Sequence, residues 1–254
     1  MTDLSDDQLL RYSRHILLPA VGVEGQARLA GARVLVVGAG GLGCPAALYL
    51  GAAGVGRLTL ADGDTVDLTN LQRQIGHASA GIGLNKAESL TASVRAINPE
   101  IGVGALTTAL AGAALLDAVA DADLVVDASD NFATRHAVNR ACVAAKKPLV
   151  SGAAIGFSGQ LAVFDPRRED SPCYHCLFPE GGEYEELRCA ENGVFGPLVG
   201  VIGALQAHEA AKLLVGVGEA LVGRLLLWDG LAAEPRVLRV PRDPACAVCG
   251  APPA

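Results

Sequence analysis

Aromatic side chains make up only 4% of this 254-residue chain, with a single Trp and a single Met. Few rings beside 31 glycines suit tightly packed α/β units, and a GC-rich genome would give the same bias. Excess positive charge is missing too. A formal net charge of −7 gives no long-range attraction for nucleic acid or an anionic membrane, so neither is expected as a partner. Any cation that matters must act inside a site. An uninterrupted apolar span is also lacking. Val34 to Gly56 carries no charge and is long enough to cross a bilayer. Its seven glycines and one proline nevertheless divide it into strand, turn and helix. The opening MTDLSDDQLLRYSRH has no basic-then-apolar leader, so a cytoplasmic location is expected. With 51% hydrophobic residues the chain can bury a full core, as one large domain or a domain with an annex.

The chain is organised around Arg33 to Asp62. An apolar run (Val34 to Val37) feeds Gly38-Ala39-Gly40-Gly41-Leu42-Gly43, then a helix of small residues and a second apolar run ending on Asp62. This is a β-α-β unit with G-x-G-x-x-G and an acid nineteen residues past the last glycine. Gly38 permits the sharp turn, Gly40 lets backbone amides approach a phosphate, and Gly43 lets helix and strand pack closely. The helix N-terminus attracts an anion, and Asp62 is placed to accept from a ribose. NAD, FAD and ATP sites would all look alike at this point.

Around this unit, strands and helices alternate. A helix with Ser5 as cap is expected over Leu4–Leu18, putting Arg11, Arg14 and His15 on one face. Helices are expected near Asn85–Ile97, Gly112–Ala120 and Phe132–Ala145, and strands at Ile101–Leu106, Leu124–Ala128, Pro148–Ser151 and Gln160–Phe164. That alternation predicts an α/β, Rossmann-like, doubly wound and mostly parallel sheet. From Asp165 a polar, Cys-bearing segment leads to a helix in PLVGVIGALQAHEAAKLLVG, and strands at Arg224–Trp228 and Arg236–Val240 extend the sheet. One domain over 1–254 is expected, with a nucleotide-binding part (1–165) and a C-terminal part (166–254).

Four of the seven cysteines form two C-x-x-C pairs, Cys173/Cys176 and Cys246/Cys249, beside turn formers. Two such knuckles supply four ligands to a tetrahedral Zn²⁺, and a cytosolic setting disfavours the alternative of disulfides. Cys44 and Cys142 lie in apolar settings and read as packing residues. Asn70, Arg73, Gln74 and Lys86 follow the second strand and Asp130-Asn131 the fourth, so all converge where a doubly wound sheet binds ligands. Two cations and a carboxylate there suit a triphosphate with Mg²⁺ better than a nicotinamide, although each could be an ordinary surface charge.

The set RYSRHILL, GAGGLG, LADGDTVDLTNLQRQ, DASDNFATR, SGAAIG, CYHC, RCAENGVFGPLVGVIGALQAHEAAKLL and CAVCG resembles the MoeB/ThiF family, bacterial relatives of ubiquitin-activating enzymes. The match runs through essentially the whole chain in order. It implies ATP-dependent adenylation of the C-terminal glycine carboxylate of a ubiquitin-like sulphur carrier, with loss of pyrophosphate. The carrier is implied to be MoaD-like, the small subunit of molybdopterin synthase, with a ThiS-like thiamin carrier as the alternative. By motif, Gly38, Gly40, Gly41 and Gly43 form the phosphate turn and Asp62 holds the ribose. Thr69, Asn70, Leu71, Gln72, Arg73 and Lys86 surround the triphosphate. Asp130 is implied to bind Mg²⁺, with Asn131 beside the nucleotide. Arg14 is implied to reach into the partner subunit's site, making a homodimer. Cys189 matches a cysteine that links covalently to the carrier in some branches. One departure stands out: Gly156-Phe157-Ser158 replaces the Arg and nearby acid usual in the molybdopterin branch, and resembles the thiamin branch. From other classes, a dinucleotide-dependent oxidoreductase finds no hydride-site residues. A non-catalytic scaffold is at odds with the filled Arg14, Asp62, Arg73, Lys86 and Asp130 positions.

Overall fold

The structure is a computed structural model that describes residues 4–181 and 193–250. Ser5 caps α1 (Asp6–Arg11) through a reciprocal box: its hydroxyl accepts from the Gln8 amide and its own amide donates to the Gln8 side chain. The single helix expected to Leu18 breaks at Tyr12, and α2 (Ser13–Ile16) starts afresh. Tyr12 is the cause, because it is buried against Gly54 and its hydroxyl accepts from Asn98 at 2.8 Å. The break separates the three basic residues. Arg11 pairs with Glu100, His15 meets Gln26, and Arg14 stays exposed.

After α3 (Gly22–Gly31) come β1 (Arg33–Val37), α4 (Gly43–Ala52), β2 (Arg57–Ala61), α5 (Lys86–Ile97) and β3 (Gly102–Leu106). Then follow α6 (Gly112–Asp121), β4 (Leu124–Asp127), α7 (Phe132–Ala145), β5 (Leu149–Ile155) and β6 (Ser158–Phe164). The short α8 (Tyr174–Leu177), the long α9 (Gly196–Val215), β7 (Arg224–Asp229) and β8 (Glu234–Arg239) complete the α-helices and strands among the described residues. The eight strands form one sheet in the order β3-β2-β1-β4-β5-β6-β7-β8. Its first five strands are parallel and the remaining pairings antiparallel. The reversal is local. Ile155 pairs with Ser158 across Gly156-Phe157, which leaves no chain for a crossover. Gly156 takes φ +53°, a conformation that favours glycine.

Side-chain alternation on the buried strands builds a core on each face. Val34, Val36, Leu58 and Leu60 pack with Leu50, Leu90 and Ala207 on one face. Leu35, Val125 and Leu149 meet Leu115, Val119 and Val138 on the other. By length and composition α9 could cross a membrane, yet half of its apolar window is buried inside this fold. Its Gln206 is fully buried and donates to the carbonyls of Asp127 and Val150, while Glu209 accepts from Lys212 and the Leu221 amide.

Candidate functional site

The glycine turn sits between β1 and α4. Gly38, at φ +97°, donates to the Ala61 carbonyl. Gly43 is needed for approach: a Cβ there would lie 1.8 Å from the Gly38 oxygen. Leu42 opens α4 without a side-chain cap, and the Gly40 and Gly41 amides donate to nothing among the described residues. Backbone donors therefore gather at the positive end of a ten-residue helix. The Ala39 amide donates to Asp62 Oδ2 at 2.8 Å, and the Asp64 amide to Asp62 Oδ1 at 2.8 Å. Asp62 thus braces the turn while keeping further lone pairs for a ligand.

A cleft of about 710 Å³ opens over this turn. Gly38, Gly40, Gly41, Asp62, Arg73, Lys86, Asp130 and Asn131 all line it. Lys86, 8% exposed, reaches Asp64 Oδ2 with Nζ at 2.9 Å. It begins α5, whose cap Asn85 accepts from the Ala87 and Glu88 amides and donates to the carbonyls of Asp62, Asp64 and Thr107. Arg73 donates to the Thr69 carbonyl at 3.0 Å, which leaves most of its fork free. Asp130 is exposed at the rim, and Asn131 caps α7 by accepting from the Thr134 amide.

Other sequence expectations fall outside the cleft walls. Thr69, Asn70, Leu71 and Gln72 form a tight turn capped by Asp67, beside the start of α9 at Gly196. Gly43 lies beneath the turn. Arg14 does not line the cleft of its own chain. Cys189 lies outside the described residues.

Several site residues escaped the sequence reading. Asp64 is the counter-ion of Lys86, signalled only by its place two residues past Asp62. Arg135 lines the cleft and donates to the Ser129 carbonyl, with Phe132 under its guanidinium. Asp127, fully buried at the end of β4, accepts from the Ser129 amide and hydroxyl and from Ser151. Burial pushes its carboxyl pKa up, against the field of Arg135. His77 touches the glycine turn from behind, and burial lowers its pKa. Cys44 and Cys142 are buried as expected. Desolvation pushes the Cys44 thiol up to about 12 and raises Cys142 as well.

The four knuckle cysteines converge, their sulphurs all within 4.8 Å of one another. Cys173–Cys246 is 3.7 Å, Cys176–Cys249 3.4 Å and Cys173–Cys176 4.0 Å. A disulfide needs about 2.05 Å, whereas a tetrahedron with Zn–S near 2.3 Å has edges of about 3.8 Å. The cluster is therefore built to chelate a metal such as Zn²⁺. Asn139 of α7 fixes it by donating to Cys173 and accepting from the Tyr174 amide.

The ThiF family pattern matches residues 12–248. The chain belongs to the ThiF family. Among its relatives, the molybdopterin-synthase adenylyltransferase of Escherichia coli is 47% identical, over 98% of this chain and 100% of that protein. The sulfur carrier protein ThiS adenylyltransferase of the same organism is 48% identical, over 97% of each. Among solved structures, E. coli MccB with AMPCPP and MccA superposes with a TM-score of 0.81 at 26% identity, covering 94% of this chain and 74% of that one. In this ThiF-family chain α7 links the two features: Asn131 at its start lines the cleft, and Asn139 further along holds Cys173.

Proposed function

We propose that this ThiF-family chain transfers the adenylyl group of ATP to the C-terminal glycine carboxylate of a ubiquitin-like sulphur-carrier protein. The observation that carries this reading is one cleft lined by the glycine turn, Arg73, Lys86 and Asp130, in a chain 47–48% identical along its length to two adenylyltransferases. A carboxylate oxygen attacks the α-phosphorus, the bond to the bridging oxygen breaks, and pyrophosphate leaves behind a mixed anhydride. The chain needs no covalent step of its own for this. Positioning the tail in line and neutralising the developing charge supply the rate.

The Gly40 and Gly41 amides donate to phosphate oxygens, Asp62 accepts from the ribose, and Arg73 and Lys86 offset the charge of the departing pyrophosphate. Thr69, Asn70, Leu71 and Gln72 flank the phosphates from the neighbouring turn. Asp130, exposed and without a cationic partner among the described residues, suits a Mg²⁺ that keeps mostly phosphate and water ligands. Arg14, exposed and outside its own cleft, completes a second copy's site in a homodimer. Cys189 is the candidate for a covalent link to the carrier. Residues 1–165 form the nucleotide-binding part, and 166–254 the zinc knuckle and carrier-binding part.

The small subunit of molybdopterin synthase is the first carrier. A ThiS-like carrier is the second reading, favoured by Gly156-Phe157-Ser158 and by the 48% relative. ATP–pyrophosphate exchange with each purified carrier tests both. Arg73→Ala and Asp130→Ala each cut exchange at least about 100-fold with an unchanged circular dichroism spectrum. Near-normal exchange in either variant overturns the assignment.

A further inference from the structure

His77 contacts the peptide unit at the apex of the glycine turn. Its Nε2 lies 2.9 Å from the Ala39 carbonyl oxygen, and its Nδ1 lies 3.0 Å from the Ser89 hydroxyl. A carbonyl only accepts, so Nε2 carries the hydrogen and the Ser89 hydroxyl donates to Nδ1. Cys44 also leans on the Ala39 oxygen, at 3.4 Å. The Ala39 amide is held from the other side by Asp62. Both polar ends of this buried residue are therefore fixed by side chains distant in sequence.

The consequence follows from peptide geometry. In a planar trans peptide the carbonyl and the next amide point in opposite directions. Drawing the Ala39 oxygen back toward His77 turns the Gly40 N–H away from the interior. Gly40 lines the cleft, and its amide donates to nothing among the described residues. Ser89 sits three residues after Lys86, so one face of α5 supplies both the cleft's lysine and the support behind His77.

We propose that His77 is a positioning residue for nucleotide binding: its Nε2–H sets the direction of the Gly40 amide that receives a phosphate. The inference deepens the adenylation reading and rests on it for the identity of the ligand. His77→Ala removes the donor, and His77→Gln restores an N–H donor at a comparable reach. The test is ATP–pyrophosphate exchange with purified carrier, together with calorimetric titration of MgATP alone.

The expected result is a KM for ATP raised about tenfold in His77→Ala, the scale of one lost charge-directed hydrogen bond. Turnover at saturation changes less, and His77→Gln returns KM to within about threefold of the parent. Unchanged KM and MgATP affinity in His77→Ala overturns the proposal. So does an equal fall in turnover and melting temperature in both variants, which marks a structural role. Absence of exchange in the parent protein would count against the adenylation reading instead. The titration would then still decide for or against His77 by itself.

Discussion

Asp127 has no exposed surface, and its carboxyl is pushed above the usual range by burial. The sign of the consequence is set by linkage. The folded chain holds the proton at pH values where the unfolded chain has released it, so this group's contribution to stability falls as pH climbs above about 4. Asn needs no proton and still accepts from the Ser129 amide and hydroxyl. Asp127→Asn should flatten the pH dependence, with urea midpoints at pH 5 and pH 8 differing less than in the parent. An unchanged difference would mean that the field of Arg135 keeps Asp127 ionised. Residues such as Asp62, Lys86 and the four cysteines were legible in sequence because each belongs to a spaced motif. Asp64, His77 and Asp127 were not, because their partners come from other strands and helices.

Among the elements, α9 shows what periodicity can and cannot say. Apolar spacing gives a helix, and the structure places it from Gly196 to Val215. What spacing does not reveal is that Gly203 is its point of closest approach to α4. A Cβ there would lie 2.4 Å from the Leu42 oxygen and 2.5 Å from Pro45. Backbone cannot step aside as a flexible side chain would, so Gly203→Ala should cost about 1–3 kcal/mol. A lowered urea midpoint at constant slope checks this. Because Leu42 opens α4 beside the glycine turn, the same variant should also weaken MgATP binding. The opening helix failed as a single element for a comparable reason. Tyr12 gains more from burial and its bond with Asn98 than from continuing the helix.

For the whole molecule, the cysteine cluster joins segments more than seventy residues apart, with Cys173 ahead of α8 and Cys246 beyond β8. Closing so long a loop limits the unfolded ensemble and fastens the C-terminal strands to α7. Purified protein should carry one zinc per chain by elemental analysis. Cys246→Ser should lose it and melt about 5–10 °C lower, the shift for a few kcal/mol in a chain of this size. An unchanged melting temperature with metal absent would show that the cluster holds nothing together. Alternating strands and helices made the parallel half of the sheet legible. Its reversal after β5 was hidden because two residues, Gly156 and Phe157, decide it.

That reversal brings two more turns to the rim that carries the glycine loop. Ser158 pairs with Asp229, and Asp229 with Glu234, so residues 156–157 and 230–233 emerge side by side there. The Gly230 amide buttons them together by donating to the Phe157 carbonyl at 2.7 Å. Both turns present apolar side chains at the surface: Leu231 is 76% exposed, and Phe157 stacks on Phe195 ahead of α9 with ring centroids 5.1 Å apart. An engineer wishing to retarget such an enzyme thus has one replaceable tile at the doorway, Leu231, beside a second, Phe157, that is keyed to the helix behind it.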